Sequence, residues 1–364
     1  MKLPTRSEFR FWRSPRRGTA NPERMDNAFW EWCVRTRESA YGANERFQGP
    51  NAITKGPCWC FERMGQAQVV LPDGREVYIG GEHEDHYDPD FFIYNDVVIV
   101  DGDQISIYGY PVSVFPPTDF HTATLVGDDI LLIGNLSYPD HRRVGATQVL
   151  RLNTQTLEIS TQPTTGENPG WLFDHSASLS ESGDILCVTG GQRVSEQISE
   201  NFHDYQLCLR TFDWCVSVRR NWKAWLLERA DKQANNLWRI RQAAWEQRHG
   251  FSTRDHLAQQ FEDLPEDVLA EMMPRVAQSQ VQDVSRLYGS LFDGTSASQD
   301  DDHVGRFVLV VDGVRVRIDE DMYGVTVTVE GDLSDGTVAT ILSQLKQRLG
   351  ALEQTRYVSA PVPA

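Results

Sequence analysis

The sequence predicts a mainly β protein with an α-helical region, closed by a small β-β-β-α unit. Three observations carry the prediction. A pattern of two strand-like runs, joined by a Gly/Asp turn and ended by glycine, occurs three times. Its closing glycines, Gly80, Gly134 and Gly190, lie 54 and 56 residues apart. After Val218 the hydrophobic period changes from two residues towards 3.6. Beyond a polar linker at 294–302, three short β-branched runs precede one amphipathic run. These observations divide the chain into an N-terminal capping segment (1–60), a β domain (61–218), a helical region (219–293) and a C-terminal unit (304–364).

The repeats come first because they decide the architecture. The first runs from Gly65 through Val69-Val70-Leu71, a turn at Pro72-Asp73-Gly74, and Val77-Tyr78-Ile79 to Gly80-Gly81. The second runs from His121 through Leu125-Val126, a turn at Gly127-Asp128-Asp129, and Leu131-Leu132-Ile133 to Gly134-Asn135. The third runs from His175 to Leu179, turns near Gly183-Asp184, and ends at Gly190-Gly191. Each is followed by a polar loop and two more strand-like runs: 96–100 with 104–108, 147–152 with 157–160, and 205–209 with 214–218. Short β-branched runs between Gly/Asp turns read as antiparallel strands, so each unit is expected to be a four-stranded blade.

On these residues the segment 61–218 resembles kelch repeats. The small and hydroxyl residues of the first strand, the pairs Gly80-Gly81 and Gly190-Gly191, the Leu152–Glu158 hairpin and Trp214 carry the likeness. Gly134-Asn135 departs from it. The resemblance implies partial β-propeller blades and a binding scaffold more often than an enzyme, although some kelch proteins are oxidases or isomerases. Three blades are fewer than the roughly four to eight of a closed ring, so an open edge must be covered. The Trp-rich N-terminal segment, the C-terminal strands or a second subunit can do this, and capping within the chain is the favoured expectation.

The flanks follow. Residues 219–248 read as one long helix, with Trp222, Leu226, Ala230, Ala234, Leu237, Ile240, Ala244 and Trp245 at three- and four-residue steps. Arg and Lys alternate with Trp there, but a packed stripe is preferred to a nucleic-acid surface. Further helix is expected over 253–261 and 265–291. Arg306–Val311 and Val314–Ile318 flank an Asp312-Gly313 hairpin turn, then come Val325–Val329, a helix over Thr337–Leu352 and a loose tail at 361–364.

Charge bears most on function. The net charge is −17, and residues 61–218 alone hold 24 Asp/Glu against seven Lys/Arg. Such a field repels nucleic acid and anionic lipid and speeds encounter with a basic protein. No run has the 18 or so apolar residues of a membrane span, the start lacks the apolar core of a secretory signal, and six cysteines do not make a disulfide scaffold. The expectation is a cytoplasmic protein without membrane or direct nucleic-acid partners.

The sharpest local cluster is Glu82-His83-Glu84-Asp85-His86-Tyr87-Asp88-Pro89-Asp90. Its oxygen-rich donors would suit calcium or manganese, yet the spacing matches no recognised metal motif, so neither metal nor other cofactor is expected. Cys58-Trp59-Cys60 reads as a buried structural pair. His121 and His175 hold equivalent repeat positions, which predicts packing rather than catalysis. With no Gly-x-Ser-x-Gly, Walker loop or dinucleotide fingerprint, a non-enzymatic role is expected.

In antiparallel blades the loops 82–94, 111–119, 135–146, 161–173 and 192–204 share one face. That face would present Glu82, Glu84, Asp85, Asp88, Asp90, Asp119, Asp140, Glu167, Glu196, Glu200 and Asp204 against Arg142, Arg143 and Arg193. Exposed charges alone give little affinity, so aromatic anchors are expected among Tyr87, Phe91, Phe92, Tyr110 and Trp171. In physical character the chain resembles the immunity proteins that block nuclease toxins delivered between bacteria, type VI secretion effectors included. The resemblance implies an acidic inhibitor of a basic toxin. The alternative is an enzyme, or a glycan- or metal-dependent binding protein, that uses the His83–Asp90 loop.

Overall fold

The computed structural model describes residues 3–50, 56–83, 90–260, 265, 267, 268, 270, 275–300 and 303–362. It is mainly β and forms two compact units, Met1–Arg219 and Arg220–Ala364.

In the first unit each sequence repeat forms a four-stranded antiparallel meander. The strands are Ala67–Val70, Glu76–Ile79, Asp96–Asp101 and Gln104–Gly109; then Thr122–Val126, Asp129–Ile133, Val149–Asn153 and Ile159–Thr161; then Ser176–Leu179, Ile185–Thr189, Asp204–Cys208 and Asp213–Val218. Alternation sets the layers. Val69, Val77, Ile79, Val97 and Ile99 of the first sheet meet Ile130, Leu132, Leu150 and Leu152 of the second. Ile133 and Val149 of the second meet Leu186, Val188, Tyr205, Leu207 and Trp214 of the third.

The N-terminal segment covers the first sheet twice. Its helices Arg6–Trp12, Ala28–Thr36 and Ala40–Phe47 start at Thr5, Asn27 and Ser39, whose side chains each accept a hydrogen bond from a first-turn backbone N–H. Phe9, Phe29, Phe47, Trp30 and Trp59 fill the space over Tyr78, Tyr94, Val98, Ile105 and Ile107, and the Trp30 and Trp59 rings stack at 4.9 Å. Glu23–Arg24 pairs with Tyr108 and Gly109, so the outer edge strand is covered as well. The far face of the third sheet is different. Ser176, Ser178, Thr189, Asp213, Cys215 and Ser217 lie exposed there.

The closing glycines make the joints between meanders. A Cβ on Gly80 would stand 2.2 Å from the Thr118 carbonyl oxygen, and one on Gly134 would stand 2.4 Å from that of Leu172. The next residue completes each joint: the Gly81 N–H donates to the Thr118 carbonyl and the Asn135 N–H to the Leu172 carbonyl, both at 2.8 Å. Each meander is entered through a residue with left-handed φ, namely Gly65 (60°), Phe120 (47°) and Asp174 (52°). These entries are also linked, because the Phe120 N–H donates to the Gly65 carbonyl and the Asp174 N–H to the Phe120 carbonyl.

The second unit overturns the long helix expected over 219–248. Lys223–Arg229 is a strand held between Gly324–Val329 and Tyr357–Val362, antiparallel to both. Two full ladders satisfy its backbone and outweigh the helical spacing of its apolar residues. Helix begins only at Leu237, after the Asn235 side chain accepts from the Leu237 N–H and donates to the Asp321 carbonyl. Leu237 and Ile240 face the core, whereas Trp238 and Trp245 are 49% and 52% exposed, so the tryptophans do not share the buried stripe. Helices Thr253–Gln260 and Gln278–Val284 lie within the expected helical stretches, and much of 261–274 falls outside the described residues. Arg306–Val311, Val314–Glu320, Gly324–Val329 and the helix Asp335–Glu353 realise the β-β-β-α pattern. One more strand, Tyr357–Val362, takes in Pro361 and Val362 of the tail expected to be loose, and 363–364 lie outside the described residues. No helix among the described residues is long and apolar enough to cross a membrane.

Candidate functional site

The long loops of the first unit form one rim because strands two and three of every meander are joined at the same end. Direct contacts run along it. Glu82–His83 pairs with Phe92–Ile93, and the Ile93 N–H donates to the Tyr138 hydroxyl at 2.8 Å. The Trp171 indole N–H reaches the Leu136 carbonyl at 3.3 Å. Trp171–Phe173 pairs with Gln192–Val194, which pairs in turn with Ile198–Glu200.

The rim divides the residues expected to bind a partner into groups. Asp140, on the short 3-10 turn Pro139–His141, and Glu196 are exposed and form no ion pair among the described residues. Glu82, Asp90, Glu200 and Asp204 are half-buried. Glu167 is exposed but engaged by Arg219 at 2.6 Å. Glu84, Asp85, Tyr87 and Asp88 lie outside the described residues, as does the middle of the proposed metal loop. The described residues hold no group of three or more His, Cys, Asp or Glu side chains arranged to take a metal ion.

Two kinds of expectation fail here. Asp119 is 0% exposed: its Oδ1 accepts from the Ser137 N–H at 2.7 Å, and its own N–H donates to Asn135 Oδ1. Burial raises its carboxyl pKa, with the Ser137 N–H, Glu82 and Arg142 opposing the rise. Asp119 therefore shapes the 135–138 loop and adds nothing to an exposed face. Two of the aromatic anchors, Trp171 and Tyr110, fail for a related reason, while Phe91 and Phe92 are half-buried and Tyr87 lies outside the described residues. Trp171 is 3% exposed and Tyr110 is fully buried, while Phe92 packs 4.9 Å from Tyr94 beneath the Arg17 guanidinium. Trp171→Ala is expected to destabilise the rim by about 3–5 kcal/mol, as a lost core aromatic does. Thermal unfolding checks this, and an unchanged melting temperature would restore Trp171 as a surface anchor.

Behind the rim lies a buried ion pair. Arg63 and Asp96 meet bidentately at 2.5 and 3.0 Å with both side chains almost wholly buried. The Trp59 indole N–H donates to Asp96, and Arg63 donates to the carbonyls of Cys60 and Gly80. Its guanidinium lies 3.3 Å from the Tyr94 ring centroid. With so many partners engaged, this pair ties the N-terminal segment to the first meander. Cys33 and Cys58 both direct their thiols at the Trp59 carbonyl, and burial pushes the Cys58 pKa up to about 12. Such thiols are poor nucleophiles.

His121 and His175 occupy matching joints, each beside the glycine of the preceding meander. Burial, with help from His175, pushes His121 down to about 3, and burial pushes His175 down to about 4. Both are therefore neutral packing residues at physiological pH. His175 Nε2 lies 2.9 Å from Thr122 Oγ1, whereas neither nitrogen of His121 has a hydrogen-bond partner among the described residues.

One acidic concentration was missed. At the opposite end, the tight turns expose Asp73, Asp101, Asp103, Asp128, Glu158, Glu181 and Asp213. For Asp73, Asp101, Asp103 and Asp128 the sequence signal is aspartate beside glycine, which by itself indicates only a turn. The acidity of the first unit is therefore shared between its two ends. A cavity of about 500 Å³ on the turn side is lined by Asp129, Arg151, Asn153 and Thr156, which are bonded to one another. Compared with known proteins, the chain matches no family model and no curated protein.

Proposed function

We propose that the chain is a non-enzymatic protein-binding module on a kelch-like scaffold, which neutralises a basic partner such as a nuclease toxin delivered between bacteria. The observation that supports this reading best is the charge of the three-meander unit. Residues 61–218 hold 24 carboxylates against seven basic side chains, and many of the carboxylates are exposed at the loop rim and the turns. A nuclease is basic because it must hold phosphates, so an acidic inhibitor gains both encounter rate and complementarity. The loop rim is the preferred contact surface, since its loops are long and vary between repeats while the turns are short.

The test is capture of partners from a lysate of the source cell, followed by binding kinetics on two charge-reversed proteins. One carries Asp140→Lys and Glu196→Lys at the rim; the other carries Asp101→Lys and Asp128→Lys at the turns. All four residues are exposed, so both variants should melt like the parent. The rim variant is expected to lose about tenfold or more in association rate and much of its salt dependence, since steering acts through exposed charges screened over about 8 Å. Equal binding by all three proteins, each folded, would remove the charge-based reading. A loss confined to the turn variant would move the surface to the other end.

A further inference from the structure

We propose that the third meander carries an open main-chain docking joint, which takes an extended segment of a partner protein. The proposal goes beyond the charge-based reading and does not depend on it, because it rests on backbone groups.

The joints already described define what an occupant must look like. At the first, the Thr118 carbonyl enters the space left by Gly80 and accepts from the Gly81 N–H; two residues on, the Phe120 N–H donates to the Gly65 carbonyl. At the second, the Leu172 carbonyl enters beside Gly134 and accepts from the Asn135 N–H; two residues on, the Asp174 N–H donates to the Phe120 carbonyl. The third meander repeats the receiving half. Gly190 and Gly191 keep φ values of 65° and 80°, and Asp174 keeps its left-handed turn. Yet a Cβ on Gly190 would find nothing within 4 Å. Among the described residues, the Gly191 N–H donates no hydrogen bond and the Asp174 carbonyl accepts none. Left-handed φ alone accounts for glycine at position 190. It does not account for a donor, an acceptor and an unfilled space recurring together in the geometry that two other joints fill.

The chemistry of the occupant follows from the pattern. It is a peptide whose residue n offers a carbonyl to Gly191 and whose residue n+2 offers an N–H to the Asp174 carbonyl. Residue n+2 must accept left-handed φ, which favours Gly, Asn or Asp. Residue n+3 is expected to be a flat polar side chain, as His121 and His175 are. The exposed hydroxyls of Ser176 and Ser178 beside the joint suit a single extended segment and do not suit a second apolar sheet.

The probe is a capped synthetic peptide with the sequence of residues 171–178, added to the full chain in 0.5 M salt so that charge steering is suppressed. Saturable shifts of the Gly190 and Gly191 amide resonances are expected. Gly190→Asn should weaken binding about tenfold or more, the scale of one lost hydrogen bond plus a blocked space. Asparagine accepts the left-handed φ and meets open space, so the variant's melting temperature should match the parent's. The same peptide N-methylated at its aspartate should also lose affinity. Unshifted Gly190 and Gly191 resonances, or equal affinity for Gly190→Asn, would overturn the proposal. Concentration-dependent self-association of the chain, abolished by Gly190→Asn, would overturn it in favour of a second copy. Failure here leaves salt-dependent binding of a basic partner untouched, and failure of that binding leaves this joint untouched.

Discussion

Acidification from pH 7 to pH 5 is expected to destabilise the three-meander unit by about 4 kcal/mol through two side chains, His121 and His175. Both imidazoles are held neutral in the fold, at about 3 and about 4, while the unfolded chain protonates near 6.5. Below 6.5 the unfolded state therefore binds protons that the folded state refuses. The stability they confer is complete above that pH and is lost as the pH falls towards the folded values. At pH 5 the unfolded chain is 1.5 units below its titration point, which is worth about 2 kcal/mol for each histidine. Hydrogen exchange at the Ile130–Ile133 amides, beside both joints, should report the loss. The double variant His121→Gln, His175→Gln should flatten the dependence between pH 7 and 5 while lowering stability throughout. Equal pH dependence in the parent and the variant would show that these imidazoles do not titrate on unfolding.

Asp96→Ala is expected to cost about 3–5 kcal/mol, because it strands the Arg63 guanidinium, whose side chain is wholly buried, without its counter-charge. The arginine would keep its carbonyl acceptors at Cys60 and Gly80 but lose the one carboxylate it pairs with among the described residues. Replacing both partners, with Arg63→Met and Asp96→Leu, should recover much of the loss, since burying two apolar chains removes the desolvation cost altogether. Exchange protection of the Glu76–Ile79 and Asp96–Asp101 amides is the measurement. A double variant no better protected than Asp96→Ala would mean that the stability comes from the bidentate geometry itself.

What could be read from the sequence depended on how local its cause was. All twelve meander strands were legible, because the first two of each meander are bounded by a Gly/Asp turn and a closing glycine, and the last two follow as short β-branched runs separated by a polar turn. Lys223–Arg229 was not, since the ladders that make it a strand join it to residues about a hundred and more positions away. Its apolar residues also fit a helix, and nothing local separates the two. The rim showed the same limit. Its loops could be placed on one face by counting strands, but whether a loop residue points outwards depends on tertiary packing. Asp119 caps the Ser137 amide and Trp171 seals the Leu136 loop, and no pattern in the sequence marks either as buried. The closing glycines were visible from the start as a period, while their purpose as receptors for the next meander's carbonyl required coordinates.

The exposed hydroxyl face of the third sheet limits how the chain can grow. Gene duplication lengthens repeat arrays only when the last unit offers the surface that the new one expects. A fourth meander inserted after Val218 would press the apolar inner face of a typical repeat against Ser176, Ser178, Thr189 and Ser217. Each hydroxyl buried there without a partner would cost about 1–3 kcal/mol. Lengthening the array would thus require several simultaneous serine- and threonine-to-aliphatic changes, and a population acquiring them one at a time would pass through proteins with a sticky, uncovered sheet. The array is held at three units by the chemistry of its outermost face, as terminal repeats of stacked proteins are in general.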